Sequence, residues 1–525
     1  MNNKIPFSSR LMIFAFYLFS LMTIINSSPT FSMDNEDINF ALTSGVSYSQ
    51  KKIETLDGPV IANILTIDLK NPNISVKSAL GRDFVVADEY YKGREKLGDL
   101  ARRKNAIAAI NADYFSTDGD PLGFMVRDGE LISESMSNRV ALGITADGRI
   151  KFSRIATSGT LIASDQSSCR LDGINRMLPP NGIVILTPAY GTKPIVNEPV
   201  LLMLVGDINL PVTLGKELQG TIKYIGFSDT INTIPQNSIV LAGKGRGAKW
   251  LITHLHEGDG IRFHYDAKTV AANYPRPMLI TDSVIDPPTD NIKDDWSDVI
   301  QSISGGPWLV KNGSTLIDGK DQGFNENSFV NAKHPRTAIG VNSNGELLIV
   351  TVDGRKKYSV GLSLKELAEY LIQLGAVEAI NLDGGGSTSM VVKGLYVNGP
   401  SENSPRPIAN ALLVFDKSYY TKYLSNDSFI PDPVNLQIGE NTPLTLRNAT
   451  DKSIPLWGSY DGNIFIDQRG TVYADQFCGG NIAAITANNH YKYQYFVFSN
   501  QTNAIPKSIP ASSTPNIATS LYNDN

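Results

Sequence analysis

From about residue 40 to residue 416 the chain runs as short segments, either apolar or alternating apolar with polar, separated by turn signals. A side-chain period of two over four to eight residues is the mark of strands, so this stretch predicts an α+β fold that is mostly β. Only two segments carry apolar residues at helical spacing. The first helix is predicted over Gly93 to Lys104, with Leu97, Leu100 and Ala101 on one face, and the strand Ala106 to Ile110 follows it. The second is better marked. Ser363 and Glu366 have capping-box spacing, and Leu364, Leu367, Ala368, Leu371 and Leu374 form a stripe that ends before Gly375. Strands Leu347 to Val352 and Val377 to Leu382 flank this helix. A strand-helix-strand unit implies parallel strands, which puts Asp353 and Asp383 at carboxyl ends, about 5 Å apart if the strands are neighbours.

The two helical units echo one another. Leu97-Gly-Asp-Leu-Ala leads through a strand into Asn111-Ala-Asp113, and Leu364-Lys-Glu-Leu-Ala leads through a strand into Asn381-Leu-Asp383. Each helix is thus expected to deliver an Asn-X-Asp to a strand end, and a duplication is one explanation. Between residues 158 and 271 the chain is strand-rich. Turns are predicted at Pro179 to Gly182 and at Gly243 to Gly247, and His254 and His256 alternate in a strand-like segment as surface or structural residues.

The character changes at both ends. Residues 430–499 read as short strands with paired turn signals at Asp461-Gly462 and Arg469-Gly470, resembling the immunoglobulin-like β domains appended to exported proteins. The expected architecture is therefore a mostly β domain over residues 40–416 plus a small C-terminal β-sandwich-like domain. Residues 500–525 hold too little apolar material to fold and are expected to be a disordered tail. At the other end Lys4 and Arg10 precede the apolar run Leu11 to Ile25. This predicts a signal peptide over residues 1–32 and a protein that is secreted or held in the cell envelope, with an uncleaved anchor as the alternative.

Charge and cysteine content narrow the chemistry. Among 525 residues, 47 basic side chains face 52 acidic ones with no basic block, which argues against a nucleic-acid partner. Two cysteines, Cys169 and Cys478, do not make a disulfide framework and are expected as separate thiols; five histidines show no zinc-type spacing.

Residues 381–390 combine, after Asn381, an acid, three glycines and three hydroxyls: Asp383, Gly384, Gly385, Gly386, Ser387, Thr388 and Ser389. Glycines permit close approach of a ligand, and successive bare amides can cradle an anion. Other segments share this polar-plus-glycine character: Asn111-Ala-Asp113-Tyr114-Phe115, Ser304-Gly305-Gly306-Pro307, His334-Pro-Arg336-Thr337 and Asp353-Gly-Arg355.

In order and spacing, His334 to Gly340, Asp353 to Arg355, Leu364 to Gly375, Asn381 to Met390, Asn398 to Ser401 and Arg406 to Asn410 resemble the phosphodiester glycosidase family. The resemblance implies hydrolysis of a sugar joined through its anomeric oxygen to a phosphodiester, releasing the sugar and leaving a phosphomonoester. On that reading Asp383 is the favoured carboxylate, Asp353 or Asp113 its partner, and His334 a proton carrier. Arg336 is the first choice for gripping phosphate because its planar fork can bind two oxygens; Arg355 and Arg406 come next. Gly384 to Gly386, Ser387 and Thr388 would complete the anion site. Asn111 and Asn381 are candidate sugar ligands, Tyr114 or Phe115 could stack on a pyranose, and Thr337, Gly305, Gly306 and Asn398 are further substrate-binding candidates. No cofactor is required, although Asp118-Gly-Asp120 is compatible with a structural calcium. Two rival readings remain: a noncatalytic cell-wall or polysaccharide-binding protein holding a phosphosugar, and a phosphodiesterase cutting the P–O bond. Scarce histidine lowers the second.

Overall fold

The structure, a computed structural model, describes residues 32–33, 38–86, 93–135, 139–191, 194, 199–228, 230–270, 295–418, 427–446, 454–486 and 490–498. The expected signal peptide, apart from Ser32, and the expected disordered tail lie outside them. Among the described residues no helix is long and apolar enough to cross a membrane.

Two nine-stranded sheets face each other across the main core. The first carries, in spatial order, strands Val46–Thr55, Gly58–Ile67, Leu347–Val352, Arg336–Asn342, Ala376–Asn381 and Trp308–Lys311. Strand Leu347–Val352 is buried at every position, which is why it reads as an uninterrupted apolar run ending in Thr and Val. The second sheet runs Ile74–Leu80, Asn410–Asp416, Ala108–Asn111, Met390–Val392 and onward. Tyr48, Leu65 and Ile349 from one sheet and Ile110, Met390 and Leu412 from the other meet in the shared core.

Each sheet is backed on its outer face by one of the predicted helices. Helix α1 (Leu97–Arg103) buries Leu97, Leu100 and Ala101 against Ala109 and Leu413. Helix α3 (Leu364–Gln373) buries Leu364, Leu367 and Tyr370 against Val350 and Val352. The result is a helix-sheet-sheet-helix stack in a mostly β, α+β fold.

Three local expectations change. Leu347–Val352 and Ala376–Asn381 do run in the same direction, but Arg336–Asn342 lies between them, antiparallel to both. Asp353 and Asp383 are therefore two strand spacings apart, roughly 10 Å at the backbone rather than 5. Gly243 to Gly247 is not merely a turn, because helix α2 (Arg246–His254) starts within it; a turn-like glycine cluster hid the short amphipathic stretch behind it. His254 accordingly ends a helix, where its Nδ1 lies 2.9 Å from Asp165, and is not in a strand.

The strand-rich segment forms most of a twelve-stranded sheet that also takes in Met125–Arg127, Glu130–Ser133 and Val299–Ser304. Strands of the 430–499 region have an apolar cluster of their own around Trp457, Val472 and Tyr495. They also continue the second main sheet: Leu456–Ser459 bridges to Leu395–Tyr396 through the Tyr396–Ser459 pair, and Leu456, Ala483 and Ile485 join the main core. Cys169 and Cys478 are both free thiols.

Helix α3 begins with a reciprocal cap: Ser363 Oγ accepts from the Glu366 amide at 3.3 Å, and Glu366 Oε2 accepts from the Ser363 amide at 2.8 Å. Ser363→Ala should cost about 1 kcal/mol, read as a lower urea midpoint; an unchanged midpoint would show that packing alone fixes this helix end.

Candidate active site

The two Asn-X-Asp strand ends meet. The Asp383 amide donates to the Ala112 carbonyl at 2.9 Å, and Asn111 Nδ2 donates to the Asp383 carbonyl at 2.7 Å. Asn111 Oδ1 accepts from Thr337 Oγ1 at 2.9 Å and from the Ser389 amide at 3.0 Å. One buried amide side chain thereby stitches three segments. Asn381 Nδ2 does similar work, reaching Tyr114 Oη, the Gly306 carbonyl and the Leu382 carbonyl. Asn111, Asn381, Thr337 and Gly306 thus form the frame of the site, as does Gly305, whose amide is bound by the Val140 carbonyl.

This frame sets the Asp113 and Asp383 carboxyls in a largely desolvated space. Asp113 is 2% exposed; its Oδ1 accepts from the Tyr114 amide at 2.7 Å, and its Oδ2 has no hydrogen-bonding partner. Only a glycine fits at 123, since a Cβ there would lie 2.3 Å from Asp113 Oδ2. Burial pushes the Asp113 carboxyl up to about 7, against the pull of Arg139. Burial also raises Asp383, but Ser387 Oγ, Arg406 and the Gly384 amide offset it, leaving about 6. Asp383, Gly384 and Gly385 stay partly open to solvent, so the acid is reachable.

The charge of Arg139, which no motif singled out, pulls down the pKa of both acids. Its guanidinium lies over the rings of Tyr114, at 4.7 Å, and Phe324, at 5.1 Å, while Nε and Nη1 have no hydrogen-bonding partner. The only local hint was a lone arginine opening the apolar strand Val140–Thr145. With Tyr114 covered by Arg139, Phe324 and Phe329, its ring is a support for the cation rather than a platform for a sugar.

Arg336 has a different place from the one expected. It is 1% exposed, with Nε donating to the Leu362 carbonyl and Nη2 to the carbonyls of Phe329 and Ala332. Burial lowers its pKa to about 10. With Nε and Nη2 spent on backbone, it ties the 329–332 turn to the strand.

The glycine cradle is likewise mostly closed: the Gly385 amide donates to Pro335, that of Ser387 to Gly384 and that of Thr388 to Gly385. Gly385 takes a φ of 60°, which explains the residue, and the Arg355 guanidinium lies over it. His334 is engaged at both nitrogens, with Nε2 on the Ser328 carbonyl at 2.9 Å and Nδ1 on Arg355 Nη2 at 3.1 Å; burial first, then Arg336 and Arg355, lower its pKa. It holds a loop rather than carrying protons. Asn398 binds the Met390 amide and the Thr388 carbonyl, so it too is framework. Arg406 does reach the site, with Nη1 3.4 Å from Ser387 Oγ and Nη2 paired with Glu402.

Asp353 lies apart from this pair. It is fully buried, its Oδ2 accepts from the Gly399 amide at 2.8 Å, and Oδ1 has no partner. Among the described residues there is no group of three or more His, Cys, Asp or Glu placed to hold a metal, and Asp118 Oδ1 accepts from the Ser116 hydroxyl and the Asp120 amide.

Burial raises the Asp353 pKa to about 8, above the roughly 3.9 of an unfolded aspartate, so the folded chain holds this proton more tightly. That stabilisation is full below about pH 4 and is lost as pH rises through about 8. Asp353→Asn, fixed in the neutral form, should show a smaller fall in thermal midpoint between pH 5 and pH 9 than the parent; parallel falls would contradict the shift. Arg336→Lys should lose at least two carbonyl bonds and cost about 3 kcal/mol in stability. A variant of unchanged stability but lost substrate binding would return Arg336 to the site.

Comparison with known proteins now bears on the same region. Residues 243–415 match the family Phosphodiester glycosidase. N-acetylglucosamine-1-phosphodiester alpha-N-acetylglucosaminidase from Bos taurus is 36% identical over 122 residues, covering 22% of this chain and 23% of the bovine protein. Its Homo sapiens counterpart is 32% identical over 142 residues, 24% of this chain and 27% of the human protein. The chain therefore spans about a quarter of the length of these relatives. A solved hypothetical protein from Synechocystis shares the fold, with a TM-score of 0.57 at 22% identity over 73% of this chain and 64% of its own. Over residues 243–415, the chain is thus similar to the phosphodiester glycosidase family.

Proposed function

We propose that this protein hydrolyses the glycosidic bond of a sugar-1-phosphodiester, releasing the sugar and leaving a phosphomonoester. The observation that carries the reading is the half-buried Arg139, whose buried Nε and Nη1 have no hydrogen-bonding partner, lying over Tyr114 beside the Asp113 and Asp383 carboxyls that burial raises. An anionic diester next to two carboxylates would be repelled. With the Asp113 carboxyl raised toward neutrality by burial and the Arg139 guanidinium alongside, an anion is accommodated beside Asp383. The departing phosphate needs little protonation, and Arg139 can offset its growing charge through Nε and Nη1. Asp383 then serves the anomeric carbon, directly or by activating water. The names of the bovine and human relatives support a phosphodiester-linked N-acetylglucosamine as the first substrate to try.

We extend the proposal to export, supported by Lys4, Arg10 and the apolar run Leu11 to Ile25; N-terminal sequencing of secreted material tests it.

The full chain should release reducing sugar from methyl N-acetylglucosamine-1-phosphodiester. In oxygen-18 water, label should enter the sugar. Label in phosphate would mean P–O cleavage, and binding without release would mean a phosphosugar-binding protein. The anomeric configuration of fresh product separates direct attack from attack by water. kcat/KM should be bell-shaped, rising as Asp383 ionises near 6 and falling as Asp113 loses its proton near 7. Arg139→Ala should lower kcat/KM by about 30-fold or more, and Asp383→Asn should lower kcat by about 10²–10⁴-fold; parent-like kinetics in either removes that residue from the reaction.

A further inference from the structure

The C-terminal strands do more than extend a sheet edge. They grip the 398–406 loop, the segment that carries Arg406 to Ser387 and Asp383. At one end of the loop Gly399 packs under Tyr358 and Phe465: a Cβ on Gly399 would lie 2.1 Å from Tyr358 Oη and 3.0 Å from Phe465. Tyr358 is in turn stacked on Phe465 and tilted against Tyr473, each at a centroid distance of 4.8 Å. In the middle, Gln476 Nε2 donates to the Asn403 carbonyl at 2.7 Å and to the Asn463 carbonyl at 2.9 Å. At the far end Pro405 packs on Gly462, where a Cβ would be 2.4 Å from its ring. Next to Gln476, Asp475 pairs with Lys356 at 2.6 Å.

We propose that the C-terminal β segment is a working part of the catalytic unit, with Gln476 a positioning residue that fixes the 398–406 loop and so holds Arg406 beside Ser387 and Asp383. This rests on the reading of Asp383 given above. An appended module that merely bound polysaccharide would have no need to clamp this loop at three points. A surface guanidinium on a free loop would spread over many positions, and its influence on a carboxylate would be diluted accordingly.

The test reads Asp383 directly and needs no turnover. The full chain is labelled with ¹³Cγ-aspartate, Asp383 is assigned by its loss in Asp383→Asn, and its carboxyl is titrated by NMR. The charged or titratable groups around it are Asp113, Tyr114, Arg139, Arg355, Glu402 and Arg406, and of these Gln476→Ala should disturb only the last two. Arg406→Ala should move the Asp383 titration up by about one pH unit. Gln476→Ala should move it the same way by less, and the double variant should move it no further than Arg406→Ala alone. Asp475→Asn, a milder change that cuts the Lys356 pair, should give a small shift in the same direction and serves if Gln476→Ala fails to fold. An Asp383 titration that responds to Arg406→Ala but not to Gln476→Ala or Asp475→Asn overturns the proposal, as does one that ignores Arg406. Absence of sugar release from methyl N-acetylglucosamine-1-phosphodiester, with these shifts present, would instead overturn the functional reading and leave the positioning intact.

Discussion

The two backbone-level bonds between strand ends, Asp383 amide to Ala112 carbonyl and Asn111 side chain to Asp383 carbonyl, are what the rest of the site depends on. Without them the two main sheets could still pack through their apolar faces, because hydrophobic contact is non-directional and tolerates sliding. Hydrogen bonds of fixed geometry do not. They hold the ends of the two sheets in one register, and that register is what makes two acids on separate sheets share a single desolvated space.

Once the acids are together, burial raises both carboxyls, and their surroundings support the two charges differently. Asp113 is enclosed, with one oxygen unpaired, so burial dominates; Asp383 sits at the open side with a hydroxyl, an amide and a cation in reach, so its charge is better supported. Arg139 completes the balance. Propped on Tyr114 and Phe324, it keeps a planar cation with unused donors next to both carboxyls. Such a buried donor carries a desolvation cost that a bound anion would relieve.

Much of this arrangement was legible in the chain, for identifiable reasons. Helix α3 was readable because its capping box and stripe are local, and the echo between Leu97–Asp113 and Leu364–Asp383 pointed to two equivalent strand ends. The meeting of those ends was not readable, since it joins residues about 270 apart. Arg336 misled because a buried arginine serving backbone carbonyls and an arginine serving phosphate look the same in a motif. Asp353 misled through strand order: one intervening strand, invisible in a strand-helix-strand pattern, moved it away from Asp383. Arg139 had no motif at all, and only the fold brings it to Tyr114. The C-terminal strands read as a separate module because their turn signals repeat locally, whereas the contacts made by Phe465, Gln476 and Gly462 with the 398–406 loop are long-range.

The central claim is that the two Asn-X-Asp strand ends build one anion site around Asp113, Asp383 and Arg139. A crystal structure of the protein soaked with N-acetylglucosamine-1-phosphate tests it most directly. The account predicts phosphate on Arg139 Nε and Nη1, with the anomeric carbon turned toward Asp383. Phosphate bound instead by Arg336 or near Asp353, with Arg139 left bare, would contradict it.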